Sequence, residues 1–176
     1  MAQYDSITIE GEDKLRVNID RCYQAVAKAA KHGIRTAGMR VIADAQRNMR
    51  TAGHGGLTLN NTGMLSQSGR VQDVPNSEDV EIGFFSREGG RGYAAAVEYG
   101  SRAHSAPLDP IRQWVKKKMR VAENRINTVA FFIHRKIRQK GTEAHPFFGP
   151  AVEKNKRQIV KSITDAISKV TNSDIK

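Results

Sequence analysis

Apolar residues recur at three- and four-residue intervals through the first third of the chain. Val17, Cys22, Val26, Ala29, Ala37, Val41, Ala45 and Met49 follow this spacing and leave a polar opposite face. A repeat near 3.6 residues predicts one long amphipathic helix. Gly33 and Gly38 fall inside it, where a glycine either bends a helix or admits a closely packed neighbour. The helix is expected to stop near Arg50, because Thr51-Ala52-Gly53-His54-Gly55-Gly56 is a strong breaker. Residues 1–13 then read as a flexible arm with a short alternating piece, Ile7-Thr8-Ile9, and residues 51–61 as a mobile Gly-rich loop.

Past the loop the period changes. One strand candidate runs from about Leu65 to Val74 and a second over Val80-Glu81-Ile82-Gly83-Phe84-Phe85. Pro75-Asn76-Ser77 between them is a turn cluster, so a β-hairpin is predicted. Tyr93 to Tyr99 fits either strand or helix; its alanines favour a short helix, with Gly100 where a left-handed cap belongs. Asp109-Pro110 has the pattern of a helix start, N-cap followed by proline at the first helical position. Ile111, Trp114, Val115, Met119 and Ala122 share the next face, and Ile126, Ala130, Ile133 and Ile137 continue it to Gly141, with a break near Asn124. A last helix is expected from Pro150, striped by Val152, Asn155, Ile159, Ile163, Ala166 and Val170 and frayed from Thr171.

These elements predict a single α+β domain over residues 1–176. A small antiparallel β-sheet packs against the long N-terminal helix, a helical insert over residues 103–144, and a C-terminal helix from about residue 150. A chain of 176 residues can bury a core without staples. Its 39% hydrophobic content is lean enough that some segments are expected to be completed by a partner. The one cysteine, Cys22, cannot form an internal disulfide and reads as a small core hydrophobe. No apolar run approaches the roughly 18 residues of a membrane span. Met1-Ala2-Gln3-Tyr4-Asp5 lacks the features of a signal peptide, so a cytoplasmic site of synthesis is expected.

Charge is segregated. Residues 1–101 hold 12 Lys/Arg and 12 Asp/Glu, so the whole net charge of +11 sits in residues 102–176. Such a half is suited to nucleic acid or an acidic protein surface, and equally to a set of solvated helix faces. Lys116, Lys117, Lys118 and Arg120 are the first candidates to face DNA; Arg135, Lys136, Arg138 and Lys140 follow, and they also suit a helix C-terminus. Trp114, Phe131 and Phe132 occupy positions expected to face a core, so base stacking is not expected, and neither is sequence-specific reading.

Catalytic chemistry finds little support. His32, His54, His104, His134 and His145 include no pair at i, i+4 and no cysteine cluster joins them, so no metal site is expected. The Gly-rich loop lacks the Gly-Lys-Ser/Thr ending of a phosphate cradle, and no Gly-x-Ser-x-Gly elbow is present. Glu98 is the one acid embedded in an apolar stretch, between Val97 and Tyr99. It reads as a buried ion-pair or hydrogen-bond anchor, within the subunit or across an interface, or as an exposed position on a short helix. No catalytic residue, cofactor or metal is predicted.

Three segments carry a resemblance. Asn61-Thr62-Gly63-Met64-Leu65 with Ser68, Tyr93-Ala94 through Glu98-Tyr99-Gly100-Ser101, and Pro146-Phe147-Phe148 with Pro150-Ala151 occur in this order. Together they resemble the small neck and tail-completion proteins of long-tailed bacteriophages over roughly residues 15–170. Two departures stand out: Ser66 replaces a frequent basic residue, and the stretch from Ala103 to Ala144 is longer than in the smallest members. The resemblance implies a non-enzymatic virion protein, assembled in the host cytoplasm into a ring, commonly a hexamer. That ring would join the tail to the DNA-filled head, docking to neck and tail-tube proteins with non-specific contact to the genome. Interface roles are expected for Leu65, Glu98 and Tyr99, and the pair Phe147 and Phe148 is expected either at the interface or, in preference, in the subunit core as an anchor of the last helix. Glu98→Lys is then expected to block ring formation and leave the monomer folded. A basic, non-sequence-specific DNA-binding protein is the alternative.

Overall fold

The computed structural model describes residues 11–51, 63–85 and 92–173. Helix α1 spans Glu12–Thr51 and pairs along its C-terminal half with α6, Phe148–Ser173. Between them come α2 (Met64–Gln67), a hairpin of β1 (Gly69–Asp73) and β2 (Val80–Phe84), α3 (Gly92–Tyr99), α4 (Leu108–Lys118) and α5 (Ile126–Lys140). The α+β class expected from the sequence is what forms, with the sheet reduced to two antiparallel strands. Of the arm expected over residues 1–13, residues 1–10 lie outside the described residues and α1 already begins at Glu12; most of the Gly-rich loop lies outside them too.

The seam between α1 and α6 is set by small and polar residues. At Gly33 the α6 backbone approaches so closely that an added Cβ would sit 2.7 Å from the Ser162 carbonyl oxygen. Glycine there admits close packing and does not break the helix. Asn155 Nδ2 donates to Asp44 Oδ2 at 2.8 Å and to the Ala151 carbonyl at 2.9 Å. Asn48 Nδ2 donates to the Phe147 carbonyl at 2.9 Å. These bonds fix the antiparallel register, since a one-turn slip would leave the buried Asn155 amide without its acceptors. Asp44 is held below its ordinary pKa, first by the Asn155 hydrogen bond and then by the Lys154 and Arg47 charges, against an opposing effect of burial.

Val41, Ile42, Ala45 and Met49 of α1 form one wall of the core. Leu65, Phe84, Phe147 and Ala151 close it. Phe84 meets Phe147 and Phe148 edge-on, with centroids 5.1 and 5.9 Å apart, an arrangement the ring quadrupoles favour. In the hairpin Val71 pairs with Ile82 and Gly69 with Phe84. Some boundaries differ from expectation; α6, for one, begins at Phe148, ahead of Pro150. Residues 64–67 form a helical turn, so the first strand starts at Gly69, because Ser68 N–H closes that turn onto Leu65 and Met64. Helix α4 starts at Leu108, which puts Asp109 in the first turn, paired with Arg112 at 2.7 Å.

The insert is tied off at its base. Ser101 and Thr142 exchange both backbone hydrogen bonds at 3.1 Å, and their hydroxyls meet at 2.9 Å. Gly141 has φ +77° and ψ −157°, a region open essentially to glycine alone. A Cβ there would also overlap the Ser101 carbonyl oxygen. Above this neck α4 and α5 pack on each other around Val115 and Ala130, both fully buried.

Candidate functional site

The three segments that carry the resemblance converge on one junction. Leu65 belongs to the first, Ala94, Val97 and Glu98 lie in the second, and Phe147, Phe148 and Ala151 belong to the third; all but Glu98 join the same hydrophobic cluster. Asn61 and Thr62 lie outside the described residues. Glu98 is only 7% exposed, and its carboxylate faces the start of α6. Oε2 accepts from the N–H of Phe147 at 2.8 Å and of Phe148 at 2.9 Å, and Oε1 from Gly149 at 2.8 Å. The first amides of a helix have no partner within it and sit at the positive end of its dipole. A buried carboxylate that takes three of them therefore acts as an N-cap delivered from 49 residues away. His145 N–H donating to the Val97 carbonyl at 2.8 Å holds the two segments together.

This geometry corrects two interface expectations. Glu98 is an internal anchor, since both oxygens are engaged within its own chain. Leu65 is a core residue at 7% exposure, turned inward by the α2 turn. Phe147, at 1% exposure, lies in the core at the start of α6, and the half-buried Phe148 packs against it. Tyr99 lies one residue past Glu98 on α3, points away from the junction, and is 81% exposed.

The basic residues of the insert lie at its tip and along its outer side. Lys116 pairs with Glu123 at 2.8 Å, which raises the lysine pKa and lowers that of the glutamate through the hydrogen bond and the charge. Lys117 and Arg120 are exposed and Lys118 is half-buried. Arg120 adopts φ +46° just past the α4 C-terminus, where glycine is the usual choice. Phe131 and Phe132 contradict their expected burial: they are 55% and 59% exposed, because α5 turns Ala130, Ile133 and Ile137 inward instead. Trp114 is half-buried.

Residues missed in the sequence include the Asp44–Asn155 pair and the Ser101–Thr142 neck. Asn155 left a signal, as a polar residue inside an apolar stripe; the neck left only Gly141. Among the described residues no group of three His, Cys, Asp or Glu side chains could hold a metal ion, and no helix is long and apolar enough to cross a membrane. An open depression of about 370 Å³ is lined by Gln24, Ala25, Ala27, Lys28, Lys31 and Glu78, with the Lys31 ammonium 3.7 Å from Glu78. No family model, curated protein or solved structure matches the chain.

Proposed function

We propose that this protein is a structural subunit that works by self-assembly, as a ring-forming neck or tail-completion component of a long-tailed phage. It docks to neighbouring neck and tail-tube proteins and performs no catalysis. One observation carries the self-assembly reading. Helix α1 extends beyond the partner that covers it. Gly33 faces Ser162 and Ile163, and the last ten residues of α6 reach back only ~15 Å at 1.5 Å per residue, to about Tyr23. Every residue from Gly11 to Gln24 is exposed, including Leu15, Ile19 and Tyr23, which lie on one stripe. That stripe continues the face that α6 buries and no described residue covers it, which suits it as a docking surface for a further chain. Tyr99 adds a further large exposed side chain beside the junction of the three segments. The family and the virion location rest on the resemblance of those segments.

Light scattering at low and high salt, with negative-stain images, tests this reading. A closed ring that persists in high salt is expected, because buried apolar surface holds it. The double variant Leu15→Asp/Ile19→Asp should stay folded by circular dichroism and lose the large species. A monomer at every concentration and salt would refute self-assembly as the working principle.

A second reading, contact with a polyanion, draws on the insert. Residues 103–144 hold 10 Lys/Arg against 3 Asp/Glu, with Lys116, Lys117, Lys118 and Arg120 around the tip. Binding through such side chains weakens steeply as salt rises.

A further inference from the structure

The outer face of α5 combines two properties that the fold itself does not need. Phe131 and Phe132 stand in solvent with ring centroids 6.2 Å apart and planes inclined by 66°. Burying a phenylalanine is worth roughly 1.5–3 kcal/mol, so two left exposed forgo a sizeable gain. The helix already has its apolar seam on the other side, where Ala130, Ile133 and Ile137 lie. The surrounding charge is one-signed. Residues 124–142 contain Arg125, Arg135, Lys136, Arg138 and Lys140 and no Asp or Glu. Among the described residues only Lys136 of these five has a carboxylate within 4 Å, Glu143 at 3.5 Å.

Helical spacing places these groups together. Arg135 lies four residues from Phe131 and three from Phe132, and Lys136 four from Phe132, so both cations stand one turn along from the rings on the same surface. Arg138 continues the row at seven residues from Phe131. The platform is held at its root by the Ser101–Thr142 bridge and by His134 Nδ1, 2.9 Å from the Ala106 carbonyl oxygen.

We propose that this face of α5 binds single-stranded nucleic acid, with Phe131 and Phe132 stacking on unpaired bases and Arg135, Lys136 and Arg138 neutralising the adjoining phosphates. Aromatic rings interleaved with cations are what sequence-tolerant recognition of single strands requires. Duplex DNA keeps its bases stacked internally and would leave both rings without a partner. An anionic membrane would need a broader apolar face than α5 retains once its seam is closed against α4. This inference deepens the polyanion reading and does not depend on ring formation.

Fluorescence anisotropy with a labelled oligothymidine of about 12 nucleotides, and with a duplex of equal length, tests it at about 50 and 200 mM salt. The single strand should bind at least tenfold more tightly than the duplex. Phe131→Ala/Phe132→Ala should lower single-strand affinity by about 30-fold or more, as expected when two rings each lose stacking of ~1–3 kcal/mol per base. Duplex affinity should not change, and Phe131→Tyr/Phe132→Tyr should restore single-strand binding. Arg135→Gln/Arg138→Gln should reduce the salt slope by about 1.4, at roughly 0.7 per phosphate. All four rings and cations are at the surface, so unchanged melting will confirm that each variant folds. Equal binding of both nucleic acids with no effect of the phenylalanine changes would overturn this proposal and leave the polyanion reading standing. Failure of both probes to bind would overturn both. Phe-dependent sedimentation with anionic vesicles, or Phe-dependent assembly mass, without Phe-dependent oligonucleotide binding would assign the face to lipid or to another copy and also overturn it.

Discussion

Replacing Glu98 separates a capping role from an interface role. In the folded chain its carboxylate accepts three N–H groups, at 2.8, 2.9 and 2.8 Å, from Phe147, Phe148 and Gly149. A hydrogen bond to a charged partner contributes about 1.5–3 kcal/mol, and loss of a helix N-cap alone costs about 1 kcal/mol. The Phe147 donor is fully buried, whereas water can reach the partly buried Phe148 and Gly149 amides and replace part of the loss. Glu98→Ala should therefore cost roughly 3–5 kcal/mol. At ~2–4 °C per kcal/mol for a chain of this size, the melting temperature should fall by roughly 6–20 °C. Glu98→Gln should cost less, about 2 kcal/mol, because its amide oxygen still accepts while its NH₂ faces the remaining donor. Glu98→Lys, which places a cation at the positive end of α6, should be the worst of the three and should not leave a folded monomer. Thermal melts followed by circular dichroism, with urea titrations at fixed pH, give the order. An alanine variant melting within about 2 °C of the parent would refute the capping argument.

Two further outcomes follow from the same geometry. Gly141→Ala should open the neck of the insert, at a cost of about 3 kcal/mol or more, since neither its φ nor its contact with Ser101 tolerates a Cβ. Hydrogen exchange would show it as lost protection at the Ser101 and Thr142 amides with α1 and α6 unchanged; retained protection would contradict the assignment. Asp44, held below its ordinary 3.8 in the folded state, contributes stability above that pH and loses it as pH falls through the lower folded value. Acid titration of stability should therefore show a loss below about pH 4 that Asp44→Asn flattens; an identical acid limb in the variant would remove Asp44 from the account.

The sequence by itself determined the order and kind of the elements. Three- and four-residue spacing marked α1, α5 and α6, turn chemistry at Pro75-Asn76-Ser77 marked the hairpin, and Gly141 marked the end of the insert. It also exposed two anomalies, an acid at Glu98 inside an apolar run and a polar Asn155 inside an apolar stripe. Periodicity reports which residues share a face, because that depends only on local backbone geometry. It does not report which face finds a partner, because that depends on elements distant in the chain. So only the tertiary structure decided that Glu98 turns inward to amides about 50 residues away and that Leu65 closes the core. The same holds for Phe131 and Phe132, which stay in solvent because α4 occupies the opposite side of α5. The exposed stripe of α1 has that origin too: residues 15–23 carry the same pattern as the buried half of the helix, and among the described residues none packs over them.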